Sequence, residues 1–232
     1  MADAFLLVHG GLHGAWCWDS VVPLLDRPAL AIDLPGRSGD PAELAGITYD
    51  DWVDEASRGI DALGVEQVCV ASHSLGGITA LGLAAARPEL IASLVFLSSV
   101  LPADGETAAH AIANSDDTDA MFAGGVFAGG PPEILRESLM NGVDDATAKP
   151  VIDRLRPEPV QPFLTPMRHG GLPNVAKTYI RLGRDQGLPP AGQERMIENL
   201  AITDVRFLDT CHNAMVSEPE ALAGLLRELG AR

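Results

Sequence analysis

A serine that follows a short apolar run has the surroundings of a catalytic nucleophile. Ser74 comes after the run Gln67–Ala71 and before a helical pattern that continues to about Arg87. A sharp turn from strand to helix would hold this serine in strain and expose its hydroxyl at the carboxyl edge of a sheet. Small residues two positions away, Ser72 and Gly76, let strand and helix pass closely, although glycine is usual at the first of these positions. The chemistry that this pattern predicts is nucleophilic attack on a carbonyl carbon.

A glycine-rich stretch, His9–Gly14, directly follows the first apolar run of the chain. Attack on a carbonyl creates negative charge on its oxygen, and backbone N–H groups can stabilise that oxyanion. Glycine lets the backbone approach a ligand closely. We therefore predict that the amides of Gly11 and Leu75 form an oxyanion hole. Taken alone, the stretch would be interpreted as a tight turn between a strand and a helix.

Six histidines could act as the general base for the serine. His212 fits best, because it follows the apolar run Val205–Leu208 in a short loop before the last helical pattern. It also comes last in the order serine, acid, histidine. His9 and His13 lie in the glycine-rich stretch. His73 directly precedes Ser74, so its side chain is expected to point away from that serine. His110 and His169 lie in a segment without strand patterns.

The acid that orients the histidine should follow a strand. Asp185 stands shortly after the apolar run Thr178–Leu182, between the serine and the histidine in chain order. An aspartate in a glycine-rich turn is also common without any catalytic role. Asp104, after the run Ser93–Leu97, is the alternative, because an acid can be supplied there instead. Asp209 is a weaker alternative, since it lies very near the histidine along a strand end.

Apolar runs and helical patterns alternate along much of the chain, which predicts an α/β fold with a mainly parallel sheet covered by helices on both faces. The predicted strands are Phe5–Val8, Ala29–Asp33, Gln67–Ala71, Ser93–Leu97, Thr178–Leu182 and Val205–Leu208. The predicted helices are Trp16–Leu25, Tyr49–Leu63, Ser74–Arg87, Ala191–Asn199 and Pro219–Leu229. Thr48 and Ser217 are predicted helix N-caps.

The alternation breaks between about Leu101 and Asn174, where strand patterns are absent and glycine and proline are frequent. A structureless loop of this length would be unusual in a compact domain, so we predict an inserted helical lid, with helices at Pro132–Met140 and Asp144–Leu155. The similar stretches Phe122–Gly125 and Phe127–Gly130 are interpreted as a flexible part of this lid. Five apolar residues of the lid could shape a substrate pocket. They are Phe122, Phe127, Leu139, Met140 and Phe163.

Composition narrows the classes of partner. A length of 232 residues suits one domain with an insertion, here residues 1–100 and 177–232 for the core and 101–176 for the lid. A formal net charge of −16 disfavours nucleic acids and anionic membranes and leaves a small, weakly charged molecule as the expected ligand. No secretory signal is visible, and the three cysteines suggest neither a disulfide framework nor a zinc site. We expect no bound metal and a cytoplasmic location. The oligomeric state is left open, with a homodimer as one possibility. The cysteines are Cys17, Cys69 and Cys211.

The segment Leu7–Trp18 closely resembles the opening motif of the plant methylesterase and hydroxynitrile lyase group of α/β-hydrolases and of its bacterial esterase relatives. The stretches Ser72–Gly77, Ile134–Leu139, Gln193–Asn199 and Cys211–Ser217 are similar to that group as well. The resemblance extends over essentially the whole chain. It implies an α/β-hydrolase core of about six mainly parallel strands and no cofactor.

Three positions distinguish the branches of this group. Hydroxynitrile lyases carry a lysine directly after the catalytic histidine and a threonine in the oxyanion loop, where this chain has Asn213 and Gly11. Methylketone synthases replace the acid, whereas Asp185 is present here. The resemblance therefore implies a serine carboxylesterase for a small, largely apolar methyl or aryl ester. A carbon–carbon lyase or hydrolase with the same triad and a receptor that turns its ligand over slowly are the alternatives.

Overall fold

Short apolar stretches form the sheet that the sequence predicts. The computed structural model describes residues 1–113, 118, 121–122, 125–170 and 172–231. Within this part of the chain, six strands form one parallel sheet in the order β2-β1-β3-β4-β5-β6. The strands are β1 (Ala4–Val8), β2 (Ala29–Ile32), β3 (Val68–His73), β4 (Ile91–Leu97), β5 (Ala176–Leu182) and β6 (Asp204–Leu208). Every predicted strand is confirmed to within two residues at each end.

Helices connect the strands and cover the sheet. They are α1 (Pro41–Leu44), α2 (Tyr49–Leu63), α3 (Gly76–Ala86), α4 (Ala108–Ala113), α5 (Pro132–Met140), α6 (Asp145–Arg154), α7 (Gln161–Leu164), α8 (Pro190–Asn199), α9 (Ala214–Ser217) and α10 (Pro219–Gly230). Alternate residues of β1 point to opposite faces of the sheet. Leu6 packs in a cluster with residues of α2, α3 and α8, whereas Phe5 packs in another with residues of α10. Both faces of the sheet are therefore covered, as predicted.

Two local predictions differ from the structure. The predicted helix Trp16–Leu25 is replaced by two 3₁₀ turns, Ala15–Trp18 and Val22–Leu24. Pro23 lacks the N–H group that an α-helix would need at this position, which explains the interruption. Ser217 does not cap α10.

α10 begins at Pro219, as predicted, but its N-cap is a different residue. Glu218 is its N-cap, and Ser217 instead ends α9, with its hydroxyl bonded to the carbonyl of Asn213 at 3.2 Å. The prediction for Thr48 is confirmed. The Thr48 side chain accepts from the amide of Asp51, and the Asp51 carboxylate accepts from the amide of Thr48 at 2.8 Å, so that α2 begins with a capping box.

The segment between β4 and β5, residues 98–175, is called here the inserted segment. It contains α4 to α7, and the predicted helices at Pro132–Met140 and Asp144–Leu155 are confirmed to within one residue. The stretch Phe122–Gly125 includes positions 123 and 124, which lie outside the described residues. The division into 1–100, 101–176 and 177–232 and the role of the segment as a lid stay predictions. None of the described helices is both long and apolar enough to cross a membrane.

The tight contact between β1 and α3 gives a first testable prediction. A Cβ atom at Gly76 would lie 2.5 Å from the carbonyl oxygen of His9, so Gly76→Ala must push two backbone segments apart. We expect the free energy of unfolding to decrease by about 1–3 kcal/mol, measured by urea denaturation. Gly224→Ala in α10 is the control, because its Cβ would meet nothing closer than an arginine nitrogen at 3.9 Å. The control should be neutral or slightly stabilising, and equal losses in both variants would contradict the prediction.

Candidate active site

Ser74 lies in the strained turn that its sequence surroundings predict. Its φ of 49° is left-handed, a conformation that residues other than glycine rarely adopt. The turn is held by hydrogen bonds from the Ser74 amide to Leu97 O at 3.1 Å and to the Ser74 carbonyl from the amides of Gly77 and Val100. Because the neighbouring structure determines the turn from both sides, the unusual backbone conformation can persist.

His212 and Asp185 meet at the carboxyl ends of β5 and β6. The His212 Nδ1 atom lies 2.6 Å from Asp185 Oδ2, and both side chains are buried. The same carboxylate oxygen accepts from Ser98 Oγ at 2.6 Å, while Asp185 Oδ1 accepts from the amide of Leu188 at 2.8 Å. An ionised carboxylate only accepts, so His212 Nδ1 carries the hydrogen and His212 Nε2 keeps its lone pair. Such an imidazole can accept a proton.

The two alternative acids lie elsewhere. Asp104 accepts a hydrogen bond from the amide of His169 at 2.8 Å within the inserted segment. Asp209 is largely exposed and lies 3.6 Å from Arg184. Of the three carboxylates that the sequence leaves open, Asp185 is the one in contact with the histidine.

The predicted oxyanion donors, the amides of Gly11 and Leu75, belong to residues that line one cavity together with Ser74 and His212. Neither amide donates a hydrogen bond to another described residue. The carbonyl of Gly10, which shares a peptide group with the Gly11 amide, accepts from His9 Nδ1 at 2.7 Å. Since the C=O and N–H of a trans peptide point in opposite directions, this bond orients the Gly11 N–H group.

His9 can hold this peptide because it is a neutral donor. Its Nε2 atom accepts from the amide of Leu34 at 3.1 Å, which leaves the hydrogen on Nδ1. Burial, supported by the positive charge of Arg37, lowers the pKa of His9 well below its usual value. Both ring nitrogens of His9 are thus bonded to backbone groups, so that His9 holds the loop in place.

The cavity has a volume of about 170 Å³ and a mainly apolar wall. Its described lining residues are Gly11, Leu12, Ser74, Leu75, Val100, Ile112, Phe127, Gly129, Leu135, Ser138, Leu139, Phe163, Gln186, Gly187, Leu188 and His212. Three of the five predicted pocket residues, Phe127, Leu139 and Phe163, are among them. The predictions for Phe122 and Met140 are not met within the described lining.

Phe122 and Met140 pack behind the residues that line the cavity. The Phe122 ring contacts Phe163 edge-on, with centroids 5.5 Å apart. Met140 is buried against α6, and its sulfur accepts from Asn213 Nδ2 at 3.2 Å. Two signals could have identified residues that sequence reasoning missed. Val100 follows a strand end, where ligand sites of parallel sheets lie, and Leu135 shares one face of α5 with Leu139.

Two further histidines, His13 and His73, are buried near His212. His73 points its Nε2 atom at the backbone carbonyl of His212, at 3.0 Å, and its ring centroid lies 4.5 Å from the His212 ring. His13 bonds through Nδ1 to the carbonyl of Gly11 at 2.7 Å. Burial lowers the pKa of His13 to about 4, and repulsion from His212 contributes to the shift. Burial and the charge of His212 also lower the pKa of His73.

The low pKa of His13 predicts how stability depends on pH. An unfolded histidine binds a proton near pH 6.5, whereas folded His13 stays neutral down to about pH 4. Between these values the unfolded chain binds more protons, so the free energy of unfolding decreases as the pH falls from about 7 to about 4, by roughly 3 kcal/mol for this group. Urea denaturation at pH 7 and pH 4.5 should show a smaller loss for His13→Gln than for the wild type. His110→Gln, at a side chain 41% exposed, is the control, and an unchanged loss in His13→Gln would oppose this assignment.

The chain is similar to known proteins over nearly its whole length. Residues 5–225 match the model described as "Alpha/beta hydrolase family". Methylesterase 7 of Arabidopsis thaliana is 28% identical over 253 residues, which cover 97% of this chain and 95% of the relative. Salicylic acid-binding protein 2 of Nicotiana tabacum is 27% identical over 259 residues, with 97% and 96% covered. A solved extracellular alpha/beta-hydrolase from a Paenibacillus species superposes with a TM-score of 0.88 at 19% identity, over 99% of both chains, which shows the shared fold.

Proposed function

Since this chain belongs to the alpha/beta hydrolase family and is a carboxylic ester hydrolase of that type, we propose that it is a serine carboxylesterase acting on small, largely apolar esters. The observation that carries the proposal is the cavity shared by Ser74 and His212, with His212 bonded to Asp185 at 2.6 Å. The donors Gly11 and Leu75 at the same cavity support it.

In the first half of the proposed reaction, Ser74 Oγ attacks the carbonyl carbon of the ester while His212 Nε2 takes the hydroxyl proton. Asp185 stabilises the imidazolium that forms and keeps its orientation. The amides of Gly11 and Leu75 donate to the oxyanion of the tetrahedral intermediate. His212 then gives its proton to the leaving alkoxide, so that the alcohol departs and the acyl group stays on the serine.

The second half uses water as the nucleophile. His212 takes a proton from the water as its oxygen attacks the acyl carbon, and the same two amides stabilise the second oxyanion. When this intermediate collapses, the Ser74 oxygen leaves and receives the proton from His212. The products are the carboxylic acid and the free enzyme, so that no cofactor is needed to balance the reaction.

The lining of the cavity supports the substrate class. No lysine or arginine is among its described lining residues, so an anionic substrate would find no counter-charge there. The volume of about 170 Å³ suits a small ester, and the names of plant relatives support a methyl ester. Asn213 follows the histidine and is fully buried, which leaves a departing cyanide without a cation. An aryl ester, a cytoplasmic location and a homodimer stay predictions.

Replacing the nucleophile tests the mechanism directly. Ser74→Ala should abolish labelling by a fluorophosphonate probe and lower kcat for a simple aryl ester by about 10³–10⁶-fold, and His212→Ala should lower kcat similarly. The measurements are in-gel fluorescence and initial rates. Ser93→Ala is the control, because Ser93 is a buried serine within β4, away from the described lining of the cavity.

Three outcomes would contradict the proposal in different ways. Labelling that survives Ser74→Ala would overturn the assignment of the nucleophile. Ligand binding without turnover would favour a receptor, and carbon–carbon cleavage products in place of acid and alcohol would favour a lyase or hydrolase of another bond.

The aromatic wall gives a prediction about acyl-chain length. Phe127→Ala should enlarge the cavity and raise kcat/KM for octanoate relative to acetate p-nitrophenyl esters, by about 10-fold. Phe122→Ala removes an equal volume behind the wall and should leave the ratio within about twofold. Equal effects of the two variants would contradict the placement of Phe127 in the wall of the cavity.

A further inference from the structure

Leu12, the residue after the oxyanion donor Gly11, has an unusual backbone conformation. Its φ is +69°, in the left-handed region that a branched, bulky side chain avoids. Leu12 also lines the cavity. A residue in this conformation keeps it only when the surrounding structure holds it there.

The contacts that hold Leu12 come from far along the chain. The Leu12 amide donates to Glu158 Oε1 at 2.6 Å, and the Leu12 carbonyl accepts from the amide of Arg156 at 2.9 Å. On the other side of the peptide, the Gly11 carbonyl bonds to His13 Nδ1 at 2.7 Å. The Gly11–Leu12 peptide group is thus held at its oxygen and at its nitrogen.

Arg37 completes this arrangement. Its guanidinium pairs with Glu158 Oε2 and donates to the carbonyl of His13 and, at 3.1 Å, to the carbonyl of Leu34. Glu158 is fully buried, and burial raises the pKa of its carboxyl group while the charge of Arg37 opposes the shift. Burying a carboxylate and a guanidinium side by side gains little stability compared with apolar packing. The specific consequence of the Glu158–Arg37 pair is the backbone geometry that it imposes on the loop around Leu12.

Glu158 also reaches a wall of the cavity through its backbone. Its amide and carbonyl exchange hydrogen bonds with those of Phe127, at 2.9 and 3.0 Å, as an isolated antiparallel bridge. Glu158 therefore contacts two parts of the site. One is the glycine-rich stretch His9–Gly14, called here the oxyanion loop, and the other is Phe127, an aromatic residue that lines the cavity.

We propose that Glu158, paired with Arg37, is a positioning residue that keeps the Gly11 amide oriented as an oxyanion donor. This inference rests on the proposed esterase function. Without the carboxylate, the Leu12 amide loses its acceptor, and the neighbouring peptide groups can rotate toward conformations that leucine prefers. Because transition-state stabilisation depends on donors that are already in place, the loss should affect the chemical step more than substrate binding.

Two substitutions separate the geometric role from the charge. Glu158→Gln keeps an oxygen that can accept from the Leu12 amide but removes the negative charge beside Arg37. Glu158→Leu removes both. Glu106→Gln is the control, because Glu106 is a partly buried carboxylate of the inserted segment that accepts from a backbone amide, that of Ala103 at 2.7 Å, away from the oxyanion loop.

The variants are compared by kcat and KM for p-nitrophenyl acetate and by inhibition with an aryl trifluoromethyl ketone, whose adduct with a serine places an oxyanion in the hole. Glu158→Leu should lower kcat by about 10–100-fold with KM changed by less than about threefold, and the inhibition constant should rise in parallel. Glu158→Gln should show a smaller loss, about 3–10-fold. Glu106→Gln should stay within about twofold of the wild type.

A loss carried by KM alone, or an unchanged inhibition constant in Glu158→Leu, would overturn the positioning role. If Glu158→Leu fails to fold, Glu158→Gln decides, and a wild-type kcat in that variant overturns the inference. Wild-type hydrolysis and serine labelling are measured first. Their absence would overturn the proposed function together with this inference, whereas an active wild type with indifferent Glu158 variants would overturn the inference alone.

Discussion

The close approach of β1, β3 and α3 around Ser74 is the constraint on which the rest of the site depends. A Cβ atom at Gly10 would lie 2.7 Å from the Cβ of Ser74, and one at Gly77 would lie 2.5 Å from the carbonyl oxygen of Val100. Neither position has room for a side chain. The same proximity brings the glycine-rich loop after β1 next to the residue after the serine, so that Gly11 and Leu75 line one cavity. The strained turn and the candidate oxyanion hole are therefore two consequences of one packing arrangement.

The order of the strands explains how the acid and the histidine come to lie at the same edge of the sheet as the serine. Ser74 follows β3, whereas Asp185 and His212 follow β5 and β6. Ser98 directly follows the intervening strand, β4, and its hydroxyl donates to the Asp185 carboxylate. Leu97 before it and Val100 after it are bonded to the backbone of Ser74, so that this part of the chain contacts both the serine turn and the acid. A parallel sheet brings all of these loops to one edge, because each strand ends on the same side.

Strand positions and the order of catalytic candidates could be predicted from the sequence, because both depend on local patterns. Periodicity could not choose between Asp185 and Asp104, since each follows an apolar run and only the packing of the loops decides which one reaches the histidine. The pocket residues show the same limit. Phe127 and Phe122 belong to similar stretches, yet the first lines the cavity and the second packs behind Phe163.

Contacts between distant segments were beyond sequence reasoning for a physical reason. Glu158 meets the Leu12 amide across 146 residues, and a glutamate between prolines carries no local sign of a buried partner. This contact changes the interpretation of the inserted segment. Residues 156–158 are bonded to the oxyanion loop, and Gln161 accepts from the amide of Tyr49 at 2.6 Å. This end of the segment is bonded to the core through the buried Glu158 and the exposed Arg156 and Gln161, so swinging it away would break the ion pair with Arg37 together with these hydrogen bonds. Glu158 therefore contacts both the oxyanion loop and, through Phe127, the wall of the cavity, so that these two parts share one support.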